Sequence, residues 1–249
     1  MPELYDSKYF SGQGPLYIGS RDANGKSTGL TFVGDIESAE LSANVETEEV
    51  IENVTGTAGV GSSFQKSVDY SLAIVMRSIK AAHLKEALQA GLTAKTGASV
   101  TDEAHNGYHD KFIPLLHNKV SAVVVTNDTG VTTYVADTDY VLGADRGMIE
   151  ILSTGSITDG QALLIDYTYA QQDHLSAAPA NTEKYLVFAG INRADNNKQT
   201  RCEMYKVKLD PSALGLIQDT HATLTLNGKL LLDSLRPAGD QFYSWKIEA

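Results

Sequence analysis

The stretch from Lys184 to Asp233 restricts the fold more than any other part of the chain. Its apolar and β-branched runs are interrupted by Asp, Asn, Gly and Pro, the residues that favour turns. The pattern predicts a strand from Lys184, a turn on Asp195, Asn196 and Asn197, a second strand, a loop that begins at Pro211, and a third strand that ends at Asn227 and Gly228. The chain is therefore expected to be mainly β.

Two strands in the first half show alternating polar and apolar side chains. The first has Glu40, Ser42, Asn44 and Glu46 on one face and Leu41, Ala43 and Val45 on the other. The second has Gln65, Ser67, Asp69 and Ser71 on one face and Phe64, Val68, Tyr70, Leu72, Ile74 and Met76 on the other. Because successive side chains of a strand point to opposite faces, each strand is predicted to have one face in a core and one in water.

The negative charge of the chain argues against a protein that binds nucleic acid directly. The formal net charge is −11, and between Lys26 and Lys66 there are seven acidic residues and no basic one. Nucleic-acid binding uses Lys and Arg to displace counterions from phosphates. An ordinary solvated acidic face explains this composition, and so does a surface that DNA must pass without sticking, since like charges repel.

Bulk composition excludes several classes of protein. With 249 residues and 42% apolar residues, the chain is long enough to bury a core. Its longest apolar runs, Leu72–Met76 and Tyr185–Ala189, are far shorter than the roughly 20 residues of a membrane-spanning helix. The first ten residues have no apolar signal region, and the single Cys202 excludes intrachain disulfides, so we expect a chain made in the cytosol.

The sequence predicts three parts. Residues 1–29 are expected to be an N-terminal arm with at most one short strand. Residues 30–117 and 171–249 are expected to form a β-sandwich, with a long loop at Glu46–Ser63, a packed helix at 79–92 that ends near Gly91, and an irregular connection at 94–117. Residues 118–170 are expected to be a β-rich insertion or outward elaboration.

Within that insertion, short apolar runs alternate with turn residues. The predicted strands are Val120–Val125, Thr132–Ala136, Tyr140–Leu142, Met148–Leu152 and Ala162–Tyr169. Strands of this length and spacing are typical of a β-sandwich or an extension of one.

The chain carries no recognisable catalytic signature. His105, His109 and His117 are close in sequence, but Asn106 and Gly107 interrupt any helix that would align two of them, and no HExxH string exists. There is no G-x-S-x-G elbow, and the glycines at 56, 59 and 61 lack the Gly-Lys-Ser/Thr ending of a phosphate loop. We expect neither a metal nor a cofactor and interpret the chain as a non-enzyme.

Several segments, taken in order, resemble the major tail tube protein of long-tailed, siphovirus-type bacteriophages. They are FVGDI at 32–36, the acidic strand and long loop behind it, the second strand, the helix IKAAHLKEALQAGL, and later YLVFAGIN and RCEMYKVKLDP. The middle segments TTYVADTDYVL and DGQALLIDYTY are similar to β-rich segments of phage tail proteins. The likeness covers residues 30–92 and 184–233, and it lies in patterns of packing and turns.

The resemblance implies a structural subunit that forms stacked, sixfold rings and conducts viral DNA without binding it specifically. It implies that Glu40, Ser42, Asn44, Glu46, Gln65, Ser67 and Asp69 face the lumen, and that a loop with Glu48, Glu49, Glu52, Asn53, Thr55, Gly59 and Gly61 contacts the next ring. The implied partners are further copies of the chain, a tape-measure protein, and tail-tip and terminator proteins. The implied location is the virion tail, with assembly in the host cytoplasm.

Two alternatives remain open from the sequence. A different tail component, such as a terminator, hub or baseplate protein, has related folds and similar composition. A carbohydrate-binding β-sandwich of an unrelated class normally exposes aromatic residues on one face, whereas this chain has a single tryptophan, Trp245. Polymerisation into hollow tubes would separate the tail tube from both.

Overall fold

The structure is a computed structural model that describes residues 9–54, 56–177, 182–217 and 221–248. Strands make up 56% of it and helix 5%, so the predicted mainly β class is confirmed. The chain divides into two compact units, Met1–Gly91 with Leu175–Ala249, and Leu92–His174. We call them unit 1 and unit 2.

The elements follow in chain order. The strands are Gly12–Gln13 (β1), Leu16–Ser20 (β2), Thr31–Phe32 (β3), Ile36–Ile51 (β4), Val60–Met76 (β5), Ala90–Lys95 (β6), Ala98–Gly107 (β7), Phe112–Pro114 (β8), Val120–Asn127 (β9), Thr133–Tyr134 (β10), Tyr140–Gly143 (β11), Met148–Ile151 (β12), Gln161–Tyr169 (β13), Gln172–Ala177 (β14), Lys184–Asn192 (β15), Lys198–Asp210 (β16), Leu224–Leu230 (β17) and Tyr243–Ile247 (β18). Ala81–Leu88 form the helix α1, and Ala144–Arg146 form a short 3₁₀ helix.

Unit 1 is built on one large antiparallel sheet. Its strand order is β3-β2-β15-β16-β17-β5-β4, with β1 also paired to β15 and β18 to β16. The strands predicted between Lys184 and Asp233 are present as β15, β16 and β17, although β17 continues through Asn227 and Gly228 to Leu230 instead of ending there. Because β15 and β16 come late in the chain and lie in the middle of the sheet, unit 1 is completed only when the C-terminal part folds.

The core of unit 1 lies on one face of this sheet. Leu72, Ile74 and Met76 on β5 are each at most 4% exposed and pack with Leu224 and Leu226 of β17. The predicted apolar face of β5 is thus confirmed over its second half. Burial of each such side chain contributes about 1.5–3 kcal/mol relative to leaving it in water.

The N-terminal segment is part of the sheet: its described residues contain two strands, β1 and β2, whereas the sequence predicted an arm with at most one short strand. Strand β2 pairs with β15 from Lys184↔Ser20 to Phe188↔Leu16, and β1 pairs with the other end of β15. Leu16 is 1% exposed. The segment is too short and too rich in glycine to show periodicity, so only its partner strand reveals it.

The helix is shorter than predicted. It ends at Leu88, and Gln89 takes the left-handed conformation at the C-cap with φ of 50°, so Gly91 is not the cap. Residues from Ala90 onward already belong to β6, which pairs with β14 in a two-stranded sheet. Ala87 is buried in the core of unit 1, as the helical stripe predicted, whereas Leu88 is 42% exposed.

Unit 2 is a small sandwich of two antiparallel sheets. One has the order β10-β9-β13-β7 and the other β11-β12-β8. They share a core of buried side chains that includes Val125, Ile149, Ile151, Leu163 and Ile165. The five strands predicted between residues 120 and 169 are all present close to their expected bounds.

The structure divides the chain differently from the prediction at residues 94–117. This segment was expected to be an irregular connection within the large sandwich, but it lies in unit 2 and contains β7 and β8. Strand β7 pairs with β13 from Gly107↔Gln161 to Ala98↔Tyr169. Because its own residues are mostly polar, β7 has no apolar alternation that would have marked it as a strand.

Candidate functional site

Strands β4 and β5 form a hairpin that extends well past the rest of the sheet. Their pairing runs from Ile36↔Met76 out to Ile51↔Val60. Strand β17 accompanies β5 from Leu224↔Met76 only as far as Leu230↔Tyr70. Beyond that point, at residues 44–51 and 60–69, the described part of the chain forms a two-stranded extension, here named the ribbon.

This ribbon replaces most of the loop predicted at Glu46–Ser63. Glu48 and Glu49 belong to β4, and Gly61 belongs to β5. The remaining connection, residues 52–59, contains Glu52, Asn53 and Gly59 of the predicted contact set, while Thr55 falls outside the described residues. The prediction failed because both faces of the ribbon meet water, so its residues need no apolar periodicity.

The register confirms that most of the predicted polar residues share one face. Glu40, Ser42, Asn44 and Glu46 lie opposite Ala73, Ser71, Asp69 and Ser67. Residues directly opposite in an antiparallel pair point to the same side. The hydroxyl oxygens of Ser42 and Ser71 are 3.0 Å apart, and Ser67 Oγ donates to Glu46 Oε2 over 3.3 Å.

Gln65 is the exception in this set. The register shifts between Glu46 and Thr47, so that Glu46 pairs with Ser67 but Thr47 pairs with Gln65. The extra residue, Lys66, forms a β-bulge and brings its Nζ within 3.2 Å of Glu46 Oε1. Past the bulge every side chain of β5 changes face, so Gln65 lies on the side opposite to Glu46.

Two lysines that the sequence analysis missed lie on the polar face. Lys208 on β16 is opposite Lys229 on β17, which in turn is opposite Ser71. Both lysines are exposed. The row Lys208, Lys229, Ser71, Ser42 crosses four strands, so the face carries both signs of charge. Only the cross-strand register could reveal this, because the lysines are far from β4 and β5 in sequence.

The ribbon also exposes large apolar side chains. Val45, Val50, Ile51, Val60 and Phe64 are each about half exposed, between 49% and 57%. Ile51 and Val60 form the last cross-strand pair, and Val54 in the connection is 93% exposed. Apolar side chains concentrated on one projecting element are typical of an interaction surface.

Unit 1 contains an open groove of about 830 Å³ beside the beginning of β4. Its apolar lining includes Leu16, Leu41, Leu72, Phe188, Met204 and Trp245. The indole of Trp245 packs edge-on against Phe10, with ring centroids 5.3 Å apart. The thiol of Cys202 also lines the groove, and its burial raises the pKa of that thiol to about 11.

A polar cluster lies in unit 2. Glu103 Oε1 accepts hydrogen bonds from the backbone N–H of Leu116 over 3.1 Å and contacts His105 Nε2 at 2.7 Å, while Tyr167 OH donates to Oε2. Burial alone would raise the pKa of Glu103, but the hydrogen bonds from Tyr167 and His105 outweigh it and lower that pKa. His117 Nδ1 lies 2.9 Å from Tyr167 OH, so His117 also contacts this cluster.

The three histidines have separate partners. His105 contacts Glu103, His117 contacts Tyr167, and His109 Nε2 lies 2.7 Å from the carbonyl oxygen of Ile157. Over the described ranges, no group of three or more His, Cys, Asp or Glu side chains is arranged to hold a metal ion. Likewise, no helix within those ranges is long and apolar enough to cross a membrane.

Comparison with known proteins identifies the family to which the chain belongs. No curated protein matches the chain. A family model matches residues 9–245, which span nearly all of both units. The chain belongs to the family described as protein of unknown function UCP028589.

Proposed function

We propose that the chain is a structural, non-enzymatic subunit of the tail tube of long-tailed bacteriophages. Its copies form rings, six to a ring by the family resemblance, and the rings stack into a tube that conducts DNA during ejection. The subunit is assembled in the host cytoplasm and remains in the virion tail. The observation that carries this proposal is the sixteen-residue edge strand β4.

Strand β4 has a neighbour on one side only among the described strands, namely β5. An edge strand offers a row of unpaired N–H and C=O groups to any other chain, and monomeric proteins usually keep such edges short or covered. An edge of sixteen residues is explained if the sheet of the next copy covers it. Edge-to-edge joining around a ring closes the sheets into a barrel and removes the exposed edges.

The ribbon supports contact between successive rings. It projects beyond β17, it lacks a covering strand in the described structure, and it exposes the apolar side chains of Val50, Ile51 and Val60. A projecting element of this kind fits the role that the resemblance gives to the segment at 46–63. We therefore assign ring-to-ring contact to the ribbon and its connection.

The polar face supports a lumen that DNA passes without specific binding. Glu40, Ser42, Asn44, Glu46, Ser67 and Asp69 provide short polar and acidic side chains on one side of the sheet. The acidic groups repel phosphates. Lys208 and Lys229 give the same face a local positive site, so the proposed lumen is acidic in part and not throughout.

The proposed partners follow from the resemblance. They are further copies of the chain, a tape-measure protein inside the tube during assembly, and tail-tip and terminator proteins at its ends. The proposal includes no cofactor and no metal.

Negative-stain electron microscopy of the purified protein across a concentration series tests the proposal. Hollow tubes or stacked rings of uniform width are expected, with a tail-tip complex added as a nucleus if the protein alone stays monomeric. A closed single ring that never stacks would replace the tube assignment with a terminator or hub protein. Particles that remain monomeric with the nucleus present would contradict the proposal.

The lumen assignment has its own test. Glu40→Lys and Asp69→Lys reverse charges on the polar face, and Asp145→Lys in unit 2 serves as a matched control. Tubes are expected to form from all three variants, while DNA passage in reconstituted particles is expected to fall for the first two only. Failure of the Glu40 and Asp69 variants to fold as monomers would show that the assigned face is wrong.

A further inference from the structure

We propose that the groove of unit 1 is the docking site for the ribbon end of a second copy of the chain. This inference rests on the proposed self-assembly and identifies the surface that receives the ribbon. The groove is the open space of about 830 Å³ lined by Leu16, Leu41, Leu72, Phe188, Met204 and Trp245. The ribbon end is the cross-strand pair Ile51 and Val60 with the adjoining Val54.

The groove has apolar walls that continue into the buried core. Leu16 and Leu72 are 1% and 4% exposed, and both belong to the core cluster of unit 1. Trp245 at the wall remains 45% exposed. A space of this size with apolar walls gains free energy when apolar side chains displace the water in it.

The ribbon end exposes apolar side chains, which gain free energy when a groove of this kind covers them. Ile51, Val60 and Val54 are 53%, 57% and 93% exposed. Ile51 and Val60 point to the same side of the ribbon because they are directly opposite in the ladder. The ribbon end therefore presents a compact set of branched side chains that nothing in the described residues of its own copy covers.

The ribbon end cannot reach the groove of its own copy. Leu41 lines the groove, and Ile51 lies ten residues farther along the same continuous strand, about 33 Å away at the usual rise per residue. Every copy therefore has both a ribbon end and a groove, but the two cannot meet within one copy. A projecting apolar patch that fits a pocket elsewhere on the same molecule gives a head-to-tail contact, which builds closed rings or continuing filaments.

The test uses full-length variants in which each copy can play one role only. The acceptor variant keeps an intact groove and has an altered ribbon end. It carries Ile51→Thr and Val60→Thr, which keep the β-branched shape but remove apolar surface. It retains Trp245, the only tryptophan of the chain. The donor variant keeps an intact ribbon end and has a blocked groove. It carries Ala39→Arg, because docking would desolvate a charge at exposed Ala39 on the groove wall. It also carries Trp245→Phe, so that only the acceptor variant contains a tryptophan. A control donor adds Ile51→Thr and Val60→Thr to the donor.

Titration of the donor into the acceptor is followed by the fluorescence of Trp245 and by sedimentation. We expect a saturable change in emission, a complex of one donor and one acceptor, and binding of the control donor at least about tenfold weaker. All substituted side chains are at exposed positions, and the unfolding midpoint of each variant checks that it folds. Equal responses to both donors, or no response up to the solubility limit of the donor, would overturn the proposal.

These outcomes separate the docking site from the tail tube function. Tubes formed by the unmodified chain without any titration response would refute the docking site alone. A saturable one-to-one response from a chain that never forms rings or tubes would establish the docking site and refute the tail tube assignment alone.

Discussion

Lys208 and Lys229 lie directly opposite each other on neighbouring strands, on the same face of the sheet as Ser71 and Ser42. Like charges in this arrangement destabilise an antiparallel pair. Both side chains are exposed, so the repulsion between them is weakened by salt. The pair thus lowers the stability of unit 1 at a place where the proposed function requires a surface exposed to passing phosphates.

Replacement of one lysine of this pair by glutamate is expected to stabilise the protein. In Lys229→Glu the repulsion becomes an attraction, which should raise the free energy of unfolding by about 0.2–1 kcal/mol at low salt. Lys229→Gln should give a smaller gain, and added salt should shrink both differences. Urea unfolding at two salt concentrations measures the effect. A lower midpoint for Lys229→Glu than for the unmodified protein would show that the lysines do not repel each other.

The two units are expected to respond separately to core substitutions. Ile165 in unit 2 is fully buried, and Ile165→Ala should cost that unit about 2–5 kcal/mol. Trp245, the single tryptophan, reports on unit 1 only, because it lies on β18. The fluorescence transition should therefore stay in place while the far-UV circular dichroism transition moves.

Leu226→Ala provides the reciprocal measurement in unit 1. Leu226 is 2% exposed and belongs to the core of that unit. This variant should lower the fluorescence transition by a comparable amount. If Ile165→Ala moved the Trp245 transition as far as Leu226→Ala does, the two units would unfold as one cooperative body.

The carboxylate of Asp139 is expected to hold two loops of unit 2 together. Its Oδ2 accepts a hydrogen bond from the N–H of Val135 and its Oδ1 one from the N–H of Ser156, each over 2.7 Å. Asp139 is 4% exposed, and Asp139→Ala removes the acceptor of both hydrogen bonds, at a cost of about 0.5–1.5 kcal/mol for each bond. Thermal unfolding of this variant and of Asp145→Ala, which changes an exposed carboxylate, measures the difference. A loss within about 0.5 kcal/mol, as expected for Asp145→Ala, would contradict the prediction.

Glu103 is expected to make the stability of unit 2 depend on pH in the acid range. Hydrogen bonds from Tyr167 and His105 outweigh the effect of burial and hold the pKa of this carboxyl below its usual value of 4.5. A carboxyl whose pKa is lower in the folded state stabilises that state above the unfolded pKa, and this contribution is lost as the pH falls through the folded pKa. Glu103→Gln should therefore be less stable than the unmodified protein at pH 7.

The deficit of Glu103→Gln should shrink as the pH falls below about 4.5. Unfolding midpoints between pH 7 and pH 3 measure it, with Asp128→Asn, at an exposed turn position, as the matched control. A difference that stays constant over this range would mean that the charge of Glu103 contributes nothing to the folded state.

Periodicity predicted the strands wherever one face of a strand is buried. The second half of β5, the strand β16 and the five strands from β9 to β13 have apolar side chains on a buried face, and β15 contains a continuous apolar run that is buried on both faces. All of these strands were expected close to their observed bounds. The same reasoning failed for the ribbon, because both of its faces meet water, and for β7, because its partly buried positions include the polar residues Glu103 and His105. A strand of that kind is held by backbone pairing, which leaves no pattern in the residue types.

The sequence by itself determined that the chain is mainly β, which residues of β4 and β5 are polar and which are apolar, and where the acidic residues lie. Only the tertiary structure decided that Leu16 enters the main sheet, that Lys66 bulges and sends Gln65 to the other face, and that two lysines join the polar face. The physical reason is that strand pairing is a long-range contact made by main-chain groups common to every residue. The choice of partner and register therefore depends on which arrangement buries the apolar faces of all the strands together.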